Sequence, residues 1–171
     1  MSVIWVEPIP EVFTLLNVNI RGFTKQCVFQ ALVTDIDDKE YKFHIANNNG
    51  ASSSILNLKL HKDIWPSVEY TKTILLKSIT LATLFKREQI DASKYQALIM
   101  DTQGSELLVL RGSISILDHF EYIKTEVADF ESYEGCCQLS DISNFMVSHG
   151  YKELSRNKLA SKGGKLFRYC L

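Results

Sequence analysis

The chain has 171 residues, of which 46% are hydrophobic and 23% charged, a balance typical of a globular domain with one core. The formal net charge is −1, so charge gives no reason to expect a nucleic-acid partner. No apolar run approaches the roughly 20 residues that cross a bilayer, and the first residues lack the basic and apolar segments of a signal peptide. We therefore expect a single cytoplasmic domain, residues 1–171, without a membrane span.

Cysteines and histidines give no indication of a metal site. The chain has four of each. Cys136 and Cys137 are adjacent and cannot easily chelate one ion, and the histidines lie far apart. We predict no metal ligands, and reduced thiols as in a cytoplasmic protein.

The first half of the chain predicts mainly strands. Apolar runs and period-two alternation mark strands, and Pro10 suits the first position of a helix that Gly22 ends. Residues 47–54 are polar and aperiodic, which is typical of a loop. In chain order we predict a strand at 3–6, a helix at 10–22, and strands at 27–34, 41–45 and 71–79.

The second half alternates helices and strands. Thr80 is suited to cap a short helix that carries Leu81, Leu84 and Phe85. A strand at 97–100 follows, and then a helix with an apolar face at Leu107, Leu110, Ile114 and Leu117. Next come a strand at 122–128 and a helix that is opened by Ser140 or Asp141 and closed by Gly150. The chain ends in a hairpin that pairs 151–154 with 166–170 across Gly163-Gly164.

This alternation predicts an α/β fold with a mostly parallel sheet covered on both faces. The last two strands have no helix between them and should be antiparallel. In such sheets ligands bind just outside the carboxyl ends of the strands. Asp101, Gln103 and Glu106 follow the strand at 97–100 and are the first site candidates. Spacing leaves one alternative open, that Asp101 and Gln103 only cap the next helix.

A family pattern is carried by VEPIPEVFTLL (6–16), the Thr34-Asp35 turn with its hairpin, NNGASSSIL (48–56), the segment 80–85, MDTQGSELLVLRG (100–112), TEVADFESYEG (125–135) and Gly150-Tyr151. Together and in this order, these segments resemble the FkbM family of S-adenosylmethionine-dependent methyltransferases. The resemblance covers nearly the whole chain. The central motif of relatives usually reads Asp-Val-Glu-Gly-x-Glu, and here Thr102 and Gln103 take its middle places.

The resemblance implies a Rossmann-like methyltransferase sheet and S-adenosyl-L-methionine as the cofactor. It implies that Glu7 accepts hydrogen bonds from the ribose hydroxyls, since a carboxylate accepts two hydroxyls at once, and that Asp35 lies near the adenine. Gln103 and Gly104 are then expected at the cofactor and Glu106 at the substrate. Family substrates are typically hydroxyl groups of sugars, glycans or natural products, which become methyl ethers.

Methylation of an alcohol needs alignment of the reactants and removal of a proton. Asp101 and His61 are the candidate bases, His61 because its ordinary pKa of about 6.5 suits proton transfer near neutral pH. The alternative for His61 is a surface or helix-end histidine beside two lysines. Glu126, near the end of a strand, is a further catalytic candidate, and its alternative role is pairing with Lys124 in solvent.

Three more residues are candidate substrate contacts. Ser53 and Ser54 offer hydroxyls in the polar loop, and Tyr133 lies in a segment suited to a lid. The alternatives are that the serines satisfy only local backbone groups and that Tyr133 belongs to an ordinary loop.

One element of the family is not found in the sequence. Methyltransferases of this class begin with a strand and a glycine-rich loop, roughly Asp-x-Gly-x-x-x-Gly, which holds the methionine end of the cofactor. The first strand of this chain begins at Val3, in the place of the family's second strand. We therefore expect an amino-terminally truncated domain whose first central strand is missing between the strands that end at Glu7 and Asp101. Open strand edges favour self-association or pairing with that missing segment, and a non-catalytic binding or assembly module is the alternative function.

Overall fold

The computed structural model describes residues 2–170 as a mixed α/β structure. Most strands lie close to the positions that the apolar runs predict. Within the described residues there are nine strands: β1 (Val3–Val6), β2 (Gln26–Phe29), β3 (Leu32–Val33), β4 (Glu40–Ala46), β5 (Tyr70–Ile79), β6 (Ala97–Met100), β7 (Tyr122–Ala128), β8 (Arg156–Lys162) and β9 (Lys165–Cys170).

The helices begin at the signals expected of them. Pro10 is the first residue of α1, and Thr80 caps α3 by accepting a hydrogen bond from the Thr83 amide at 3.1 Å. The five α-helices of the described residues are α1 (Pro10–Asn19), α2 (His61–Ile64), α3 (Leu81–Arg87), α4 (Glu106–Arg111) and α5 (Leu139–Ser148), and Ala92–Lys94 and Ile114–His119 form 3-10 helices.

The strands form three hydrogen-bonded sheets, β1-β2, β3-β5-β4 and β6-β7-β9-β8. Among the six pairings in residues 2–170, those of β1 with β2, β3 with β5 and β6 with β7 are parallel, and three are antiparallel. The antiparallel pair at the carboxyl end is confirmed. The expectation of a mostly parallel sheet is wrong, because β4 and β5 are antiparallel and β9 pairs antiparallel with both of its neighbours. Parallel strands with helices remain compatible with a Rossmann-like methyltransferase fold.

One large core connects the sheets that carry the site. Leu84 and Leu110 are fully buried in it, and Ile4 and Val6 of β1 pack against it. In β6, Met100 is buried in this core, whereas the preceding Ile99 is 72% exposed. The expected cover on both faces is therefore wrong for β6, which is packed on one face and open on the other.

The strand predicted at residues 27–34 is two strands that pair with different partners. β2 follows β1 up to the hydrogen bond from the Glu7 amide to the Phe29 carbonyl. The next amide on this side of the chain, that of Ile9, donates to the Glu7 carboxylate instead of to β2, so the ladder ends here. The chain then turns away, and Leu32 and Val33 pair with β5 instead.

The helix predicted across residues 107–117 ends at Gly112. A Cβ atom at this position would lie 2.1 Å from the Thr34 carbonyl oxygen, so the backbone of the chain before β4 occupies the space that a continuing helix would need. The following residues form a 3-10 helix. Leu117 still reaches the core, but Ile114 is exposed.

Two boundaries near the carboxyl end also differ from the prediction. α5 begins one residue before Ser140, because the Asp141 carboxylate accepts a hydrogen bond from the Gln138 amide at 2.8 Å. The first strand of the final hairpin is 156–162, not 151–154, since the Tyr151 hydroxyl donates to the Phe120 carbonyl at 2.8 Å and holds that segment against the core. The turn through Gly163 and Gly164, both at positive φ, is confirmed.

Candidate functional site

The turn after β6 has a backbone that few residues tolerate. Gln103 has a φ of +53° and Gly104 a φ of +97°. A Cβ atom on Gly104 would lie 2.8 Å from the Cβ atom of Cys136. Glycine is therefore required at 104 for both its conformation and its packing.

Glu106, the first residue of α4, holds this turn from inside. It is 2% exposed, and its carboxylate accepts hydrogen bonds from the Thr102 amide at 2.8 Å and the Gly104 amide at 3.1 Å. Burial raises the pKa of Glu106, and the bonds from backbone amides oppose that shift. The contacts found for Glu106 are thus with the turn itself.

A narrow cavity opens at the carboxyl ends of β6 and β7. Its volume is about 10 Å³, which is room for about one water molecule. A substrate must therefore meet these groups from their exposed side. Six of the residues that the sequence predicts as site candidates line this cavity together: Asp101, Gln103, Gly104, Glu106, Glu126 and Tyr133.

Asp101 and Glu126 form a carboxyl pair at this cavity. Burial raises the pKa of Asp101, while hydrogen bonds from Gln103 and Glu126 oppose the shift. The two acids directly follow residues of β6 and β7 that pair with each other, and both line this cavity. Two carboxyl groups in contact hydrogen-bond to each other only when one of them carries a proton.

Glu7 lies at the carboxyl end of β1, half-buried, and its Oε1 atom accepts a hydrogen bond from the Ile9 amide at 2.8 Å. Burial raises the pKa of Glu7, and this bond lowers it. Glu7 therefore has a local role at the start of α1, besides the cofactor contact that the family resemblance implies.

Residues 47–54 form a loop that contacts both the segment after β1 and the turn after β6. A Cβ atom on Gly50 would lie 2.9 Å from the Ile9 side chain, and the Ser54 hydroxyl donates to the Gln103 carbonyl at 2.8 Å. Gly50 and Ser54 are at most about 14 Å apart along the chain. Glu7 and Asp101, each two residues from one of these contacts, thus border the same loop.

The serine hydroxyls in this loop have partners within the protein. Ser53 Oγ accepts from the Ala46 amide at 3.0 Å. Ser54 Oγ accepts from the Leu56 amide at 3.1 Å, in addition to its bond to Gln103. Both serines are buried, so a substrate would reach them only through further opening of the loop.

His61 is the first residue of α2 and is 1% exposed, so the surface position considered from the sequence is wrong. It packs between Trp65 and Tyr133, with ring centroids 4.8 and 5.1 Å away, and its Nε2 atom lies 3.3 Å from Ser52 Oγ. Burial lowers the pKa of His61 to about 4. The ring is therefore neutral at physiological pH and enclosed.

The depressed pKa of His61 predicts a pH dependence of stability. Between pH 6.5 and about 4 the unfolded chain binds a proton here that the folded chain does not, so stability falls as the pH falls through this window. From pH 7 to pH 5 we expect this residue to account for a loss of about 2 kcal/mol. Urea unfolding at both pH values should show a loss smaller by that amount in His61→Gln. The exposed His119→Gln is the control for removal of a histidine, and equal losses in the wild type and His61→Gln would rule out this account.

Tyr133 is part of the interior. It is 1% exposed, and its hydroxyl donates to Gln103 Oε1 at 2.6 Å. A side chain expected in a lid thus lies beneath the turn after β6, thirty residues away in the sequence.

Asp35 does not lie beside the side chains at the turn after β6. It is exposed in the turn after β3, and its Cα atom would lie 3.3 Å from a Cβ atom on Gly112. Gly112 follows the last residue of α4, while Glu106 is the first, so the two ends are about 9 Å apart. The contacts of Asp35 place it at the far end of this helix from the turn at 101–104.

Cys137 also belongs to the site, although it was not among the candidates predicted from the sequence. It lines the cavity, and its thiol donates to Glu106 Oε2 at 3.5 Å. Burial raises the pKa of this thiol, so it remains a donor. No spacing rule relates positions 137 and 106, and only the fold brings them together.

Two kinds of feature are absent from the described part of the chain. No helix in it has both the length and the apolar sequence that crossing a bilayer requires. Among the same residues, no three or more His, Cys, Asp or Glu side chains are grouped so that they could hold a metal ion.

Parallel strands with helices, and acids at the carboxyl ends of these strands, are compatible with a Rossmann-like α/β fold. Residues 2–153 match the model of the methyltransferase FkbM domain. The chain therefore belongs to the FkbM methyltransferase family, as its segments suggested. No curated protein and no solved structure was found to match it.

Proposed function

We propose that this chain is an S-adenosylmethionine-dependent methyltransferase that methylates a hydroxyl group of a sugar, glycan or natural product. The observation that carries the proposal is that Glu7 and Asp101, at the ends of β1 and β6, border the same loop in a member of this family. The carboxyl ends of parallel strands are where such folds bind their ligands.

The charge and hydrogen-bonding groups at this edge fit the cofactor. Its ribose offers two hydroxyl donors and its sulfonium carries a positive charge, and carboxylates complement both. In the proposal Glu7 binds the ribose, and Gln103 and Gly104 line the cofactor side of the turn after β6. Asp35 lies at the other end of α4 from this turn, and its contact with the adenine, the end of the cofactor away from the methyl group, stays a prediction. When bound, the cofactor supplies an activated methyl group.

In the proposed mechanism Asp101 removes the proton from the substrate hydroxyl. Its raised pKa makes the carboxylate a stronger base than an aspartate with the ordinary pKa. Asp101 is also reachable, since the residue is exposed while Glu126 and Glu106 are buried behind it. His61 is the weaker candidate because its ring is neutral, enclosed and separated from solvent.

A second candidate, a binding or assembly module without catalysis, is favoured by the open edges of the sheets. In the part of the chain that the structure describes, β1 pairs only with β2, and β6 only with β7. Trp5 and Ile99 are exposed on these two strands. Unpaired edges with apolar neighbours are surfaces that take up another strand, either from a second copy or from a preceding segment that would complete the sheet between β1 and β6.

We also propose that the protein acts in the cytoplasm. Cys27, Cys136 and Cys137 are free thiols, as in proteins of reducing compartments. The formal net charge of −1 agrees with a small-molecule or carbohydrate partner rather than a nucleic acid.

Isothermal titration of the full chain with S-adenosylmethionine tests the proposal. We expect saturable heat with one site per chain, measured on protein whose folding is checked by circular dichroism in the same buffer. Absence of heat at millimolar cofactor, in protein that is folded, would reject the methyltransferase proposal for this chain and leave the assembly module.

A further inference from the structure

Gln103 occupies a backbone conformation that a residue with a side chain rarely adopts. Its φ is +53°, in the left-handed region that favours glycine and asparagine. The hydrogen bond from the Ser54 hydroxyl to its carbonyl, 2.8 Å long, holds the turn in place. Unfavourable backbone that the surroundings enforce is found most often where a side chain must be aimed at a particular group.

The Gln103 side chain connects two groups that the sequence separates by more than thirty residues. Its Oε1 atom accepts the hydrogen bond from the Tyr133 hydroxyl at 2.6 Å. Its Nε2 atom donates to Asp101 Oδ1. One amide therefore links a buried phenol to the exposed member of the acid pair.

The direction of this amide is fixed by its partners. Burial raises the pKa of Tyr133, so its hydroxyl keeps its proton and donates. The amide oxygen must therefore face Tyr133, which leaves the nitrogen, with its two hydrogens, toward Asp101. A glutamate at position 103 could accept from Tyr133 but could not donate to Asp101.

A donor toward Asp101 decides where the proton of the acid pair lies. Asp101 and Glu126 follow paired residues of β6 and β7 and line the same cavity, and in a hydrogen bond between two carboxyl groups only one can be the donor. An acid that already accepts a bond from Gln103 is stabilised in its ionised form. Glu126 is 8% exposed, whereas Asp101 is an exposed residue, so a charge on Glu126 would have less contact with water.

We propose that Gln103 is a positioning residue, whose amide assigns the proton shared by Asp101 and Glu126 to Glu126 and keeps Asp101 as the ionised acceptor. The inference rests on the proposed function only in giving Asp101 the role of a base. The titratable groups that face Asp101 are Glu126 on β7, Glu106 on α4 and the Tyr133 hydroxyl. Two of these are acids, so a neutral donor is what keeps the charge on Asp101.

Carbon-13 NMR of the side-chain carboxyl groups of the full chain tests this assignment. In the wild type at neutral pH we expect a carboxylate shift at Asp101 and a carboxylic-acid shift at Glu126. In Gln103→Glu a second negative charge replaces the donor, and the titration midpoint of Asp101 should rise by about one pH unit or more. Tyr133→Phe, which removes only the partner that orients the amide, should shift it in the same direction by less.

The chain offers a matched control in Gln89, which is also a glutamine at positive φ, +55°, but is exposed after α3. Gln89→Glu introduces the same charge and should leave the Asp101 titration unchanged. If Gln103→Glu fails to fold, the wild-type shifts and Tyr133→Phe carry the test. A protonated Asp101 in the neutral wild type, or unchanged titration in the variants that fold, overturns the proposal.

This result is separate from cofactor binding. A protein with the proton on Glu126 that binds no S-adenosylmethionine keeps the inference and loses the proposed function. A protein that binds the cofactor while the Asp101 titration is the same in Gln103→Glu and the wild type loses the inference and keeps the function.

Discussion

Replacing Gly112 with alanine is expected to lower the free energy of unfolding by about 3 kcal/mol or more. The new Cβ atom would lie 2.1 Å from the Thr34 carbonyl oxygen. Thr34 is fully buried, and its own amide is bonded to the Ile79 carbonyl at 3.0 Å, so this backbone cannot easily move away. Gly112 also accepts from the Ala82 amide at 3.2 Å, and the clash would therefore separate the end of α4 from the start of α3 as well. Urea unfolding monitored by circular dichroism measures the loss.

Gly22→Ala is the matched control, because a Cβ atom there meets nothing within 4 Å. We expect a change within about 0.5 kcal/mol for this variant. Equal stability of the two variants would show that the approach of Thr34 to Gly112 is not as close as described.

Replacing Glu106 with alanine should cost about 3 kcal/mol. The Thr102 and Gly104 amides would lose the carboxylate that accepts from them at 2.8 and 3.1 Å, and the turn that carries Asp101 and Gln103 would lose its internal support. Glu106→Gln should cost less, since the amide oxygen can still accept one of these bonds. Chemical denaturation at pH 7 measures both variants.

Glu11 provides the control within the same chain. It is also a glutamate in the first turn of a helix, but its side chain is 67% exposed and pairs with Lys72 at 3.2 Å. Exposed pairs contribute little, so Glu11→Ala should cost far less than Glu106→Ala. A loss in Glu106→Ala no larger than in Glu11→Ala would contradict the role given to the buried carboxylate.

The strands were predictable where a local pattern decides them. Apolar runs located β1 and β6, and alternation located β4, because burial of one or both faces leaves a period in the sequence. The division of residues 27–34 depends on the neighbouring segment, where the Ile9 amide bonds to Glu7 instead of to β2, and the end of α4 depends on Thr34. Both are tertiary effects, although the Arg111-Gly112 pair is itself a typical helix end.

The candidate site was predictable in part for the same reason. Acids that follow parallel strands are expected at one edge of a sheet, and Asp101 and Glu126 do meet there. The burial of His61 and the bond from Tyr133 to Gln103 depend on how distant loops pack, and no spacing rule encodes them. Asp35 was placed by family resemblance alone, and it lies in the turn between β3 and β4.

The central claim is that the carboxylates at the ends of β1 and β6 bind one methyl donor between them. Titration calorimetry with S-adenosylmethionine, carried out on the wild type, Glu7→Gln and Asp101→Asn, tests it most directly. Glu121→Gln, an exposed acid at the opposite end of β7, is the control. We predict one site that each of the first two variants weakens about tenfold or more and that the control leaves unchanged. Equal affinity in all four proteins would contradict the claim.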